Sequence, residues 1–133
     1  MNVRRARILM TTFGKASEPA MKRLSLAFVE AGFEVIFTRN QRPEEIVVSA
    51  IQESVDHIGI TTMPGADIEN LTRVVELLKK EGASHIRVTA GGYLEQEDIS
   101  KVKETGVVEF FPKGTSIPEL IQWAKDHIKP TGG

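Results

Sequence analysis

The stretch HIGITTMPGADIENLTRVVELLKKEGASHIRVTAGG, residues 57–92, holds one complete unit of the fold. Its start, His57 to Thr61, is short, apolar and broken by Pro64-Gly65, which reads as a buried strand. Leu71, Val74, Val75 and Leu78 then recur at helical spacing until Gly82 stops the helix. A second β-rich run, Ile86 to Ala90, ends on Gly91-Gly92. A strand, a helix and a strand in this order make a crossover unit, the connection that parallel neighbours require.

The same alternation extends in both directions. Upstream, Ala6 to Thr12 reads as a strand ending at Phe13-Gly14, followed by a helix with Ser17 as N-cap, Pro19 in the first turn, Leu24, Ala27, Phe28 and Ala31 on its buried face, and Gly32 as its stop. Glu34 to Thr38 reads as a second strand, and Pro43 opens a helix with a buried stripe of Ile46, Val47, Ala50 and Ile51. Downstream, Ile99 and Val102 suggest a fourth helix over residues 98–105, Val108 to Phe111 a fifth strand, and Leu120, Ile121, Ala124 and Ile128 a last helix. The tail, residues 130–133, is expected to fray.

Five such units predict a single α/β domain over residues 1–133, with a parallel sheet and helices on both faces. The expected strand order is the flavodoxin-like 2-1-3-4-5, which opens a crevice at the carboxyl ends of the strands where the order reverses. Function is therefore expected in the loops after strands 1, 3, 4 and 5.

Composition narrows what those loops can do. The chain has 133 residues, enough for one domain with a real core and too few for a second catalytic domain. A formal net charge of −1 gives no general attraction to nucleic acid or anionic lipid. Arg4, Arg5 and Arg7 precede only a brief apolar run, short of a signal peptide or membrane span, so the expected location is cytoplasmic. Zero cysteines excludes disulfides, thiolate metal sites and cysteine nucleophiles.

Several phosphate chemistries can be tested against the loops. Gly14-Lys15 lacks the glycine a P-loop needs five positions earlier, where Leu9 stands. Magnesium-dependent receiver chemistry needs aspartates where this chain has Met10-Thr11-Thr12 and Thr61, so Lys113 alone does not make such a site. Flavin mononucleotide held by the hydroxyl-rich first loop remains open, as does an ordinary turn. Gly91-Gly92 lets a ligand or another backbone approach closely, and tight sheet packing explains it equally well at this stage.

Taken together, Gly14, Thr61-Thr62-Met63, Gly91-Gly92 and the run from Phe111 to Pro118 resemble the cobalamin-binding domain of methylmalonyl-CoA mutase and related acyl-CoA mutases. The resemblance covers essentially the whole chain, including Gly32-Phe33-Glu34-Val35 and Gly114-Thr115-Ser116-Ile117-Pro118. It implies that a corrin ring caps the carboxyl edge of the sheet while the cofactor's nucleotide tail enters a slot between strands. The cofactor-binding residues it implies are Phe13, Gly14, Thr61, Thr62, Met63, Gly91, Gly92, Tyr93, Phe111, Gly114 and Thr115, and the implied cofactor is cobalamin, as adenosylcobalamin or another corrinoid.

One motif departs from the pattern. The family's first loop carries Asp-x-His-x-x-Gly, whose histidine binds cobalt, and the aligned residues here are Ala16, Glu18 and Met21. Glu18 thus occupies the cobalt-ligand position, where a carboxylate in the first turn of a helix is also explained by the helix dipole. His57 and His85 are expected near strand starts, away from the crevice, and His127 in the last helix. The resemblance implies a small subunit, not catalytic alone, that presents a corrinoid to a separate large barrel subunit. The alternatives are a relative that has lost cobalamin and serves as an interaction module, or a flavin mononucleotide protein.

Overall fold

The computed structural model describes residues 4–15, 18–39 and 42–131. Strands β1 (Arg7–Phe13), β2 (Glu34–Phe37), β3 (His57–Thr62), β4 (Arg87–Gly92) and β5 (Glu109–Pro112) form a parallel sheet in the order β2-β1-β3-β4-β5. They alternate with helices α1 (Glu18–Glu30), α2 (Pro43–Gln52), α3 (Ile68–Lys80), α4 (Gln96–Ile99) and α5 (Ile117–His127). This is the flavodoxin-like order expected from the alternation.

The two faces of the sheet are filled unequally. Under α2 and α3 lies the larger core, with Leu9, Ile58, Ile60, Val88 and Phe110 from the sheet meeting Ile46, Val47, Leu71 and Val74 from the helices. A smaller cluster, including Ile8, Met10, Phe28 and Ala124, lies between the sheet and the helices α1 and α5. That imbalance leaves room on one face only.

Local chemistry explains where the elements begin and end. Asp67 caps α3 by accepting from the Glu69 N–H at 3.0 Å, and Ser116 caps α5 by accepting from the Glu119 N–H at 3.2 Å. The Ser17 cap expected for α1 lies outside the described residues.

The fourth helix is shorter than its apolar spacing suggested. It is one turn, α4, followed by a 3-10 turn over Val102–Thr105 that Gly106 closes at φ 97°. The Thr105 hydroxyl donates to the Val102 carbonyl at 2.5 Å and accepts from the Val107 N–H, so a side chain takes over bonds that a continuing helix would make. In α2, Ile51 falls outside the buried stripe and is 40% exposed.

A second difference concerns the strand ends. Thr61 pairs with Gly91 and Thr62 with Gly92, so both pairs form the last rungs of β3 and β4 and do not belong to loops. Parallel pairing extends the strands past the point where their apolar character stops.

At the opposite edge of the sheet, Asp56 is a buried carboxylate that ties both ends of the chain together. It accepts from Arg4 Nη1 and Nη2 at 2.9 and 2.8 Å, from the Arg7 N–H at 2.7 Å, and from the N–H and hydroxyl of Thr131 at 2.7 and 2.8 Å. Burial pushes its pKa up, but the Arg4 guanidinium and the donors from Arg7 and Thr131 outweigh that and hold it far below the usual carboxylate range. Of the tail expected to fray, Thr131 is therefore fastened, and residues 132–133 lie outside the description.

Candidate functional site

Side chains alternate across a strand, so β3 and β4 each show two different surfaces. Toward α2 and α3 they present Ile58, Ile60, Val88 and Ala90. Toward α1 and α5 they present His57, Gly59, Thr61, Thr89 and Gly91. Small and hydroxyl-bearing residues cannot fill the space beneath two helices, and a cavity of about 400 Å³ remains there. Its size falls within the roughly 300–1,000 Å³ of small-molecule sites.

The cavity is a slot with distinct ends. Its side walls are apolar, with Met10, Leu24 and Phe28 facing Phe111, Leu120 and Trp123. Phe111 and Trp123 meet edge to face with ring centroids 5.4 Å apart. The mouth carries Gly91, Gly92, Lys113, Gly114 and Thr115 at the carboxyl ends of β4 and β5, and Arg23 adds a second cation from α1. The floor holds His57, Thr89 and Ile128. Thr61 and His57 are four strand residues apart, roughly 13 Å.

Six of the residues named from the sequence come together in this lining: Thr61, Gly91, Gly92, Phe111, Gly114 and Thr115. The others lie elsewhere. Phe13 is packed into the larger core. Thr62 is 1% exposed and faces away from the slot, its hydroxyl donating to the carbonyls of Tyr93 at 2.8 Å and Gly91 at 3.2 Å. Gly14 and Met63 meet just past the paired ends of β1 and β3, and the Met63 N–H donates to the Phe13 carbonyl. Tyr93 is exposed, and its hydroxyl donates to Glu95 at 3.2 Å.

The aligned positions of the missing histidine motif are also separated. Glu18 forms an ion pair with Arg39, both side chains being more than half exposed, and it is not part of the lining. Met21 does line the slot, and Ala16 lies outside the described residues. Among the described residues there is no cluster of three histidine or acidic side chains suited to a metal ion.

The glycines divide by what a Cβ would meet. At Gly92 it would lie 2.3 Å from the Thr62 carbonyl oxygen, so the backbone itself demands glycine. At Gly91 the Phe111 carbonyl oxygen would be 3.1 Å away. At Gly59 the nearest atom is Thr89 Oγ1 at 3.9 Å, and the space above it is the slot. Gly59 and Thr89 are not among the site residues expected from the sequence, although each stands two residues before one of them and so shares its face.

His57 also corrects its expected place. It is 3% exposed and lines the floor of the slot, with Nε2 2.9 Å from Thr89 Oγ1, because strand alternation turns it inward at the first position of β3. His85 is exposed, and His127 stacks on Trp123 with centroids 4.4 Å apart.

Burial, with the Arg87 charge adding to it and Asp56 opposing, pushes the His57 pKa down to about 3 from 6.5. A depressed imidazole means that the unfolded chain takes up a proton below about pH 6.5 that the folded chain refuses. Stability linked to neutral His57 is whole above that pH and falls on acidification by about 1.4 kcal/mol per pH unit. Urea unfolding at pH 5 is therefore expected to give a stability about 2 kcal/mol below that at pH 7, with His57→Gln removing most of the difference. Equal stabilities at the two pH values in the unsubstituted protein would contradict a buried neutral imidazole. Asp56 adds its own loss below about pH 4, since its depressed pKa stabilises only while the carboxylate stays ionised.

Comparison with known proteins bears on this slot. Residues 6–121 match the B12 binding domain family. The chain belongs to that family. It is 32% identical over 128 residues to a methylmalonyl-CoA mutase of Cereibacter sphaeroides, covering 95% of this chain but 18% of that protein. It is 30% identical over 128 residues to the 2-hydroxyisobutanoyl-CoA mutase small subunit of Aquincola tertiaricarbonis, covering 95% of this chain and 94% of that one. Among solved structures, a novel cobalamin-binding protein from Desulfitobacterium hafniense superimposes with a TM-score of 0.75 at 19% identity, over 92% of this chain and 58% of that one, a likeness of fold. This B12-binding domain thus corresponds to less than a fifth of a full-length mutase and to nearly all of a small subunit. No helix among its described residues is long and apolar enough to cross a membrane.

Proposed function

We propose that this chain binds a cobalamin-type corrinoid through the slot and presents it to a separate catalytic subunit of an acyl-CoA mutase-like system. The observation that carries the reading is the bared sheet face. A glycine at the centre of β3 and small residues beside it keep open a deep apolar channel where the opposite face is packed with isoleucine and valine.

The residues present fit the nucleotide tail of such a cofactor. Phe111 and Trp123 supply flat walls for a heteroaromatic base, and Gly59 supplies depth. Lys113 and Arg23 put positive charge at the mouth, where a phosphodiester would lie. When bound, the corrinoid supplies a cobalt–carbon bond whose cleavage starts radical rearrangements. The chain's own part is to hold the tail, exclude water from it and orient the group above the sheet edge. In this reading the partner brings the substrate.

Glu18 is paired with Arg39 and stands outside the slot lining, so its carboxylate is already engaged at the position where the family's cobalt-binding histidine would stand. Visible spectra after incubation with hydroxocobalamin, adenosylcobalamin and flavin mononucleotide, followed by desalting, test the reading. Retention of a corrinoid with a spectrum lacking a histidine ligand is expected, and Ala16→Asp with Glu18→His is expected to convert it to a histidine-ligated one. Retention of nothing would favour the interaction-module reading, to which the loss of all three motif positions points, and retention of flavin alone would replace the proposal.

A further inference from the structure

The floor of the slot does not match its walls. A channel lined by methionine, leucine, phenylalanine and tryptophan ends on two polar side chains, His57 at 3% exposure and Thr89 at 8%. They are joined by one hydrogen bond of 2.9 Å, and among the described residues neither side chain makes another. A neutral imidazole has one donor and one acceptor, and a hydroxyl has one donor and two lone pairs. One mutual bond leaves the pair with a donor and acceptors still to satisfy.

A buried polar pair of this kind favours a ligand whose far end can bond to it, and disfavours one that displaces water and offers only methyl groups. The walls independently specify the shape of that end. Trp123 stands edge-on to Phe111 at 5.4 Å and 6.2 Å from the His57 ring, so an aromatic corner leads down to the imidazole. A flat base pushed along this corner would meet His57 and Thr89 with its outer edge.

We infer that the His57–Thr89 pair makes the slot selective for corrinoids whose nucleotide base carries a hydrogen-bonding outer edge, a purine such as adenine, over the dimethylbenzimidazole of cobalamin. Adenine presents a ring nitrogen that accepts beside an amine that donates, which matches what the pair has left. Dimethylbenzimidazole presents two methyl groups and leaves both polar side chains unanswered. The inference rests on the proposed corrinoid binding and adds to it which corrinoid is preferred.

Absorbance titrations of the full chain with adeninyl cobamide, cobalamin and the nucleotide-free cobinamide test it. The unsubstituted protein is expected to bind the adeninyl form at least ~10-fold more tightly than cobalamin. Thr89→Val and, separately, His57→Leu are expected to bring that ratio close to one by weakening the adeninyl form alone, with circular dichroism reporting that each variant is folded. Equal affinities in the unsubstituted protein, a preference for cobalamin, or a ratio that survives in a folded variant would overturn the inference while leaving corrinoid binding in place. Failure of all three corrinoids to bind would overturn both.

Discussion

Gly59→Leu is expected to abolish corrinoid binding and leave the protein folded. A Cβ at this position meets nothing closer than Thr89 Oγ1 at 3.9 Å, so the first carbon of the new side chain enters without displacing backbone. The remaining atoms extend into the slot between α1 and α5, where the base would lie. A glycine inside a strand costs stability through backbone entropy, so its replacement by a larger residue removes roughly 0.5–1 kcal/mol of that cost. The expected result is a weakening of binding by a factor of about 100 or more, or at least ~2.7 kcal/mol, with a melting temperature at or above that of the unsubstituted chain. Undiminished binding in the folded variant would place the ligand somewhere other than this slot.

Gly92→Ala is expected to do the reverse, damaging the fold before any ligand is considered. Its backbone sits at φ +114°, where a side chain is strained, and a Cβ would press to 2.3 Å from the carbonyl oxygen of Thr62 on the neighbouring strand. That oxygen accepts from the Tyr93 N–H at 3.0 Å, so it cannot retreat without breaking the connection out of β4. Left-handed strain costs on the order of 1–3 kcal/mol and forced backbone shifts add about as much, so a loss of about 4 kcal/mol is expected in chemical unfolding. A loss under about 1 kcal/mol would show that the rung between β3 and β4 is looser than its geometry implies. The two glycine effects are thus separable: Gly92 keeps the sheet closed, and Gly59 keeps the slot open.

Much of this architecture was legible because hydrophobic periodicity and glycine or proline breaks recur five times. The spacing of Leu71, Val74 and Leu78 against β-rich runs on either side defines a crossover unit, and five such units admit few topologies. The exceptions have local causes. Residues 98–105 offered only Ile99 and Val102 as apolar positions, and the Thr105 side chain diverted the backbone into a 3-10 turn. The anchoring role of Asp56 has no local signal, because its partners, Arg4 and Thr131, come from opposite ends of the chain.

The site was legible in part, and the reason is geometric. Gly91, Gly114 and Thr115 carry a recognisable local phrase, whereas the slot is made by alternation across β3 and β4. Gly59 and Thr89 stand in different strands, with nothing local to link them. Once the sheet assembles, both point to the same side as His57, Thr61 and Gly91. Reading each strand as two interleaved series separates Ile58 and Ile60 from His57, Gly59 and Thr61, and the second series is too small and polar to be a core. The inward turn of His57 follows from the same parity.

The most direct measurement is equilibrium dialysis of the folded protein against cobalamin and, in parallel, against cobinamide, which keeps the corrin ring and lacks the nucleotide. If the slot receives the nucleotide tail, cobalamin is retained at least about tenfold more strongly than cobinamide, a difference of ~1.4 kcal/mol. Retention of neither, or retention of both with equal affinity, would contradict the account.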